Sequence, residues 1–207
     1  MIIWRGWGIT ASFLLVPLLL TGCVVPYGGS DATATATATA ADGYSTLDTA
    51  GIAQIKASKA VRLDMTSGQL TKESVGLQGG TSQAPDVKIS DGAMKLDIEG
   101  PKGLVSATTD RLRLNGMDNG PDFSEVTYFL TANSLEDYTS LIRNGVDRYG
   151  IDKESAEGWI ESISSRPEDK SGFALGPGTS TGLDVTYDLR YDGVKDVQVI
   201  IVHVSPV

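Results

Sequence analysis

The chain has 207 residues, 41% hydrophobic and 21% charged, enough for one folded domain with attachments and too apolar for global disorder. A formal net charge of −9 disfavours a phosphate backbone, so nucleic acid is not an expected partner. One Cys and one His exclude an intramolecular disulfide, a CxxC zinc or redox site and a His-rich metal cage; no metal set or cofactor motif is expected, and any Ser-His-Asp triad must use His203.

Arg5 is the only charged side chain before Asp31, and Gly6 to Leu20 is almost wholly apolar. Those fifteen residues make about 22 Å of helix, short of the roughly 30 Å hydrocarbon core of a bilayer. A positive start, a short greasy run and small residues at its end match a secretory signal segment over residues 1–22. A spanning anchor over Ile2 to Val25 is the alternative, interrupted by Arg5, Pro17, Thr21 and Gly22. Leu20-Thr21-Gly22-Cys23 resembles the lipobox of bacterial lipoproteins: an apolar residue, a small residue, Gly or Ala, then Cys. That resemblance implies a diacylglycerol on the Cys23 thiol and cleavage before it by signal peptidase II. The membrane would then be a partner through lipidated Cys23, since several acyl chains at about 0.8 kcal/mol per CH₂ hold where one does not. The bland alternative is a free Cys that happens to follow a signal segment.

Residues 23–43 continue as VVPYGGSDATATATATAADG after the Cys. Alternating Ala and Thr cannot build a core, so this stretch reads as a low-complexity tether. The expected globular domain is residues 44–207.

Within it, Thr49 to Lys59 suits a short helix, and Val61, Leu63 and Met65 alternate as a strand does. Val87 and Ile89, an Asp91-Gly92 turn, then Met94, Leu96 and Ile98 read as a hairpin. Leu104 to Ala107, Leu112 to Leu114 and Glu125 to Thr131 are further strands, the last with Val126, Tyr128 and Leu130 on one face. Asn133 or Ser134 then caps a helix whose Leu135, Tyr138, Leu141, Ile142, Val146 and Tyr149 form one stripe, ended by Gly150. Asp152 caps a second helix with Ala156, Trp159, Ile160 and Ile163 inward, stopped by Pro167.

Leu183, Val185, Tyr187, Leu189 and Tyr191 alternate in a strand, Asp192-Gly193 turns the chain, and Val197, Val199 and Ile201 mark its partner. Matching the apolar faces predicts Leu189 opposite Val197, Tyr187 opposite Val199 and Val185 opposite Ile201. His203 then falls opposite Leu183. Ile200, Val202 and Val204 occupy the other face, so this strand is expected to be central and covered on both sides.

The fold class is therefore α+β: an antiparallel-rich sheet with two adjacent helices on one face, in an order that suits a ferredoxin-like C-terminal half. FLTANSLEDYTSLIRNGVDRYGI and the hairpin after it resemble the carboxyl half of LppA-type actinobacterial lipoproteins, a family that brings no activity with it.

Candidate site residues are few. His203 lacks a GxSxG nucleophile to serve and reads as a strand-end structural His. Gly176 to Gly182 is glycine-rich but leads into a strand rather than a helix, so it reads as a loop in which Gly176 and Gly178 offer backbone N–H groups to a ligand. The segment Asp118 to Asp122 lacks EF-hand spacing and reads as a turn. Tyr138 and Trp159 can line a pocket between helices and sheet, although aromatics at this spacing are ordinarily core. The leading expectation is a non-enzymatic, membrane-anchored lipoprotein outside the cytoplasm that binds an envelope protein or a small ligand. The alternative is an envelope hydrolase using paired carboxylates, which needs two carboxyl groups in one cleft.

Overall fold

A computed structural model describes residues 43–116 and 119–207. The signal segment, Leu20-Thr21-Gly22-Cys23 and the tether up to Asp42 lie outside the described residues, as does Asp118. The fold is α+β and antiparallel-rich, built on two sheets.

The smaller sheet has β1 (Ala60–Asp64), β4 (Met94–Glu99) and β5 (Leu104–Thr109), in the order β1-β4-β5. β1 runs parallel to β4 with Val61 beside Leu96 and Leu63 beside Ile98, and β4 and β5 form a hairpin. Helix α1 (Thr49–Ser58) precedes β1; its Asp48 cap accepts from Gly51 N–H at 2.7 Å. The larger sheet runs β3 (Asp86–Lys88), β6 (Arg111–Gly116), β7 (Asp122–Thr131), β10 (Val197–Ser205), β9 (Asp184–Asp192), β8 (Lys170–Gly178), with β2 (Leu70–Thr71) paired to the start of β7. β5 of the small sheet leads into β6 of the large one through the single residue Asp110.

The expected hairpin about Asp91-Gly92 does not form. Gly92 takes the left-handed conformation at φ +83°, so a turn is present. The strands on either side go to different sheets: β3 pairs with β6, placing Val87 beside Leu112, while β4 pairs with β1 and β5. Local turn chemistry bends the chain, but each strand takes the neighbour that buries its apolar face.

Both helices behave as their sequences dictate. α2 (Leu135–Tyr149) starts at Ser134, whose Oγ accepts from Asp137 N–H at 3.0 Å, and ends at Gly150, φ +76°, whose N–H bonds Val146 O. α3 (Lys153–Ser165) starts at Asp152, which accepts from Ser155 N–H at 2.8 Å, and buries Ala156, Trp159, Ile160 and Ile163. Both lie on the large sheet, α2 against β10 and β8 and α3 against β8, with Gly145 of α2 over the Tyr187 ring. Both helices fall between β7 and β8 with none between β9 and β10, so the C-terminal half is not ferredoxin-like.

Two further expectations are corrected. Lys170–Gly178 is a strand, β8, so the first part of the glycine-rich stretch is sheet rather than loop. It is an edge strand and largely exposed, which explains why alternation is hard to see in KSGFALGPG. The β9–β10 register also differs: Asp192 pairs with Val197, Leu189 with Ile200, Tyr187 with Val202 and Val185 with Val204. The connection is longer than expected because Asp192 Oδ1 accepts from Lys195 N–H at 3.1 Å and Asp196 turns left-handed at φ +53°. β10 is central, but only its Ile200, Val202 and Val204 face is fully buried; Val199, Ile201 and His203 are half-buried on the opposite face.

Candidate functional site

The residues singled out in the sequence do not come together. Tyr138 is buried with its ring centroid 6.0 Å from that of Tyr191, and Trp159 stacks on Phe173 at 5.7 Å. Both lie between the helices and the sheet. Gly176 stands in open space, whereas a Cβ on Gly178 would overlap the Tyr149 carbonyl where the backbone of β8 crosses the end of α2.

His203 lies opposite Thr186 and Thr127 rather than Leu183. Its Nδ1 is 3.0 Å from Glu125 Oε1, which also accepts from Thr127 Oγ1 at 2.6 Å and Asn115 Nδ2 at 2.7 Å. Burial alone would raise the Glu125 carboxyl, but hydrogen bonds from Thr127, His203 and Asn115 outweigh it and hold its pKa below the usual value. This network is on the open sheet face and lines none of the clefts below.

A cleft of about 920 Å³ lies between α2 and β5. Its helical wall is Asp137, Ser140, Leu141, Asn144 and Arg148, at spacings that put them on one side of α2. Its opposite wall is the outer edge of β5. The Gly100 N–H to Gly103 O bond sets the phase of the β4–β5 ladder, so Leu104, Ser106 and Thr108 turn their backbone groups away from β4. The Ser106 carbonyl accepts from Arg148 Nη1 at 3.0 Å and from Tyr149 Oη at 3.2 Å, which joins the two walls. Leu130, Thr131 and Ala132 at the end of β7 form the floor.

Three tyrosines meet at the inner end: Tyr128 from β7, Tyr149 from α2 and Tyr187 from β9, each no more than 1% exposed. The Tyr149 and Tyr187 rings meet edge to face at 6.3 Å. Tyr187 reaches this point because α2 carries Gly145 there; a Cβ would stand 2.6 Å from the Tyr187 ring. The Tyr128 hydroxyl is buried with no hydrogen-bond partner. Burial chiefly, with help from Tyr149 and Tyr187, pushes its pKa well above the usual phenol value. Tyr149 is near enough to contribute, but its own hydroxyl bonds Ser106 and is not in hydrogen-bond geometry with Tyr128. The Tyr187 phenol is likewise raised, chiefly by burial.

Arg148 sits 5.2 Å from the Tyr149 ring centroid and pairs with no carboxylate among the described residues. Lys95, at the outer rim, pairs with Asp97 at 2.7 Å. The cleft therefore offers hydrogen-bond donors and one unneutralised cation beside a mixed lining in which Leu130, Ala132 and Leu141 are apolar, which suits binding a ligand that carries acceptors. The sequence marks Tyr128 and Tyr187 only as inward strand residues, and Arg148 as a polar position on a helix. Nothing in a linear pattern says that their polar ends converge. Compared with known protein families, with curated protein sequences and with solved structures, the chain matches none of them.

Proposed function

We propose that this chain is a lipoprotein anchored to the cell membrane by lipidated Cys23 and facing outside the cytoplasm, displaying an α+β binding domain whose ligand sits in the α2–β5 cleft. The observation that carries the binding reading is Tyr128, which lines that cleft and keeps its hydroxyl buried and unpartnered. Buried polar groups are nearly always satisfied, and an exception inside a cleft marks a place where a ligand completes the bonding. The anchoring reading rests on Leu20-Thr21-Gly22-Cys23 behind its short apolar run.

A two-carboxylate hydrolase needs acid and base about 5–10 Å apart across one cleft. Each of four clefts among the described residues is lined by a single carboxylate: Asp137, Asp48, Asp192 or Asp122. That distribution favours binding over hydrolysis by this route.

Two measurements test the halves separately. Cys23→Ser is expected to leave the chain uncleaved and without the mass added by acylation; a variant that still matures at the same point and stays with the membrane fraction sinks the anchor. For the binding domain, a photo-crosslinking residue at Leu141 is compared with one at Ile201 on the open sheet face, in intact cells. Selective capture at Leu141 is expected, and equal capture at both positions would remove the cleft from consideration.

A further inference from the structure

We propose that the α2–β5 cleft takes a monocarboxylate with an apolar body, its carboxylate held at the inner end by the Arg148 guanidinium and the Tyr128 and Tyr187 hydroxyls. This rests on the binding reading above and names the class of ligand.

The inner end supplies the donors. Tyr128 lines the cleft, and its Oη, enclosed just behind the surface, bonds nothing. Tyr187 lines the same space, its ring edge-on to Tyr149 at 6.3 Å. Both phenols are held above their ordinary pKa, so they stay protonated and available as donors at neutral pH. Arg148 places one N–H on the Ser106 carbonyl, and a guanidinium has five. Arg148, Tyr128 and Tyr187 line the same cleft, and three donor groups match the several lone pairs of a carboxylate.

The charge selects a monoanion. Of the two cations lining the cleft, Lys95 is already paired with Asp97. Asp137 stands eleven residues before Arg148, about 16 Å along the helix, too far to neutralise it. One uncompensated positive charge in a molecule of net charge −9 fits a carboxylate better than a phosphate dianion. The remaining lining is mixed: Ala107 on one side, Leu130 and Ala132 below and Leu141 on α2 are apolar, while Thr131, Ser140 and Asn144 put polar groups toward the mouth. An acetate-sized ligand would leave the apolar patch of Ala107, Leu130, Ala132 and Leu141 in water, and a ligand with an apolar body covers it. The free edge of β5 is too short for an added strand to be the main contact, since Ser106 already has its carbonyl engaged.

Calorimetric titration of the full chain with decanoate, acetate, decanol and inorganic phosphate tests this. Decanoate is expected to bind saturably. Acetate should bind about 100-fold more weakly for want of apolar contact, and decanol about 10-fold more weakly for want of charge. Phosphate should give no saturable heat. Tyr128→Phe should weaken decanoate about 5-fold while the unliganded protein melts no lower than before, and Arg148→Met about 10-fold, with partial recovery in Arg148→Lys. Decanol binding as tightly as decanoate, or phosphate binding more tightly, overturns the carboxylate and leaves the binding reading standing. No saturable heat from any amphiphile, with the chain shown to be folded by its melting transition, overturns the inference; selective capture at Leu141 would then separate that failure from failure of the binding reading itself.

Discussion

Tyr128 and Lys72 are both wholly buried polar side chains, and they show opposite ways of being so. The Tyr128 hydroxyl has no partner, and such a group costs about 1–3 kcal/mol relative to one left in water. Tyr128→Phe keeps the ring and removes the orphan, so it should raise stability in urea by about 1 kcal/mol. A loss of stability would mean that the hydroxyl is satisfied in solution. Lys72 is met: its Nζ donates to the carbonyls of Thr81 and Gly120 and lies 5.8 Å from the Phe123 ring centroid. It ties two loops to the start of β7. Lys72→Ala removes both bonds and leaves a cavity, with an expected loss of about 3 kcal/mol and faster amide exchange near those loops. Neither role is legible in the sequence. Tyr128 there is one inward member of Val126, Tyr128 and Leu130, and its burial is correctly implied. Whether its hydroxyl meets a partner depends on β9 and α2, which approach from 60 residues or fewer away with no local trace.

Whole elements are more legible, for a reason that α2 makes plain. Its cap at Ser134, its stripe of Tyr138, Ile142 and Tyr149 and its stop at Gly150 are all local, and each lies where the residues place it. The β9–β10 register is not local. Val197, Val199 and Ile201 alternate as well as Ile200, Val202 and Val204 do, so both faces of β10 look able to enter the core. The choice is made by Asp192 and Asp196, which lengthen the connection and bring Ile200 beside Leu189. The Asp91-Gly92 turn fails as a hairpin on the same principle, because two sheets compete for its strands. Gly145 carries the packing of α2 on β9, and it sets two effects against each other. Alanine there would gain about 1 kcal/mol of helix propensity. Its Cβ would also stand 2.6 Å from the Tyr187 ring and 3.0 Å from Ile151, and overpacking of this kind costs about 1–3 kcal/mol. Gly145→Ala should therefore lower stability by about 1 kcal/mol with helix content unchanged by circular dichroism. It should also displace Tyr187 and reshape the inner end of the cleft, which the chemical shifts of the Tyr187 ring would report.

At the scale of the whole molecule, an acidic chain is held together in part by carboxylates that prefer to be charged. Asp86 is held below its ordinary pKa chiefly by hydrogen bonding to Arg111, Glu99 by Tyr44 and Arg62, Glu157 by Arg143, and Asp152 by its cap on Ser155. For Asp97, burial pushes upward but Lys95 and Ser106 prevail; Glu125 behaves likewise with Thr127, His203 and Asn115. A group whose folded pKa is depressed contributes stability that is complete above its unfolded pKa, near 4 for these residues, and that disappears as pH falls through the folded value. Unfolding must therefore take up protons below about pH 4.5. The melting temperature should change little from pH 7 to about 5, where loss of net negative charge also relieves self-repulsion, and then fall steeply toward pH 2. Asp86 can be isolated within this group. It bridges Arg111 at 2.5 Å and Arg113 at 3.6 Å, joining β3 to β6 at the edge of the large sheet. Its side chain is 39% exposed, so solvent screening limits the bridge to about 0.5–1 kcal/mol. Asp86→Asn should lower stability at pH 7 by that amount, bring the variant and the parent together near pH 2, and shrink the difference at pH 7 in 1 M NaCl. A variant that runs parallel to the parent across the whole pH range would show that the bridge does not hold β3, and that the edge of the sheet depends on Val87 against Leu112 instead.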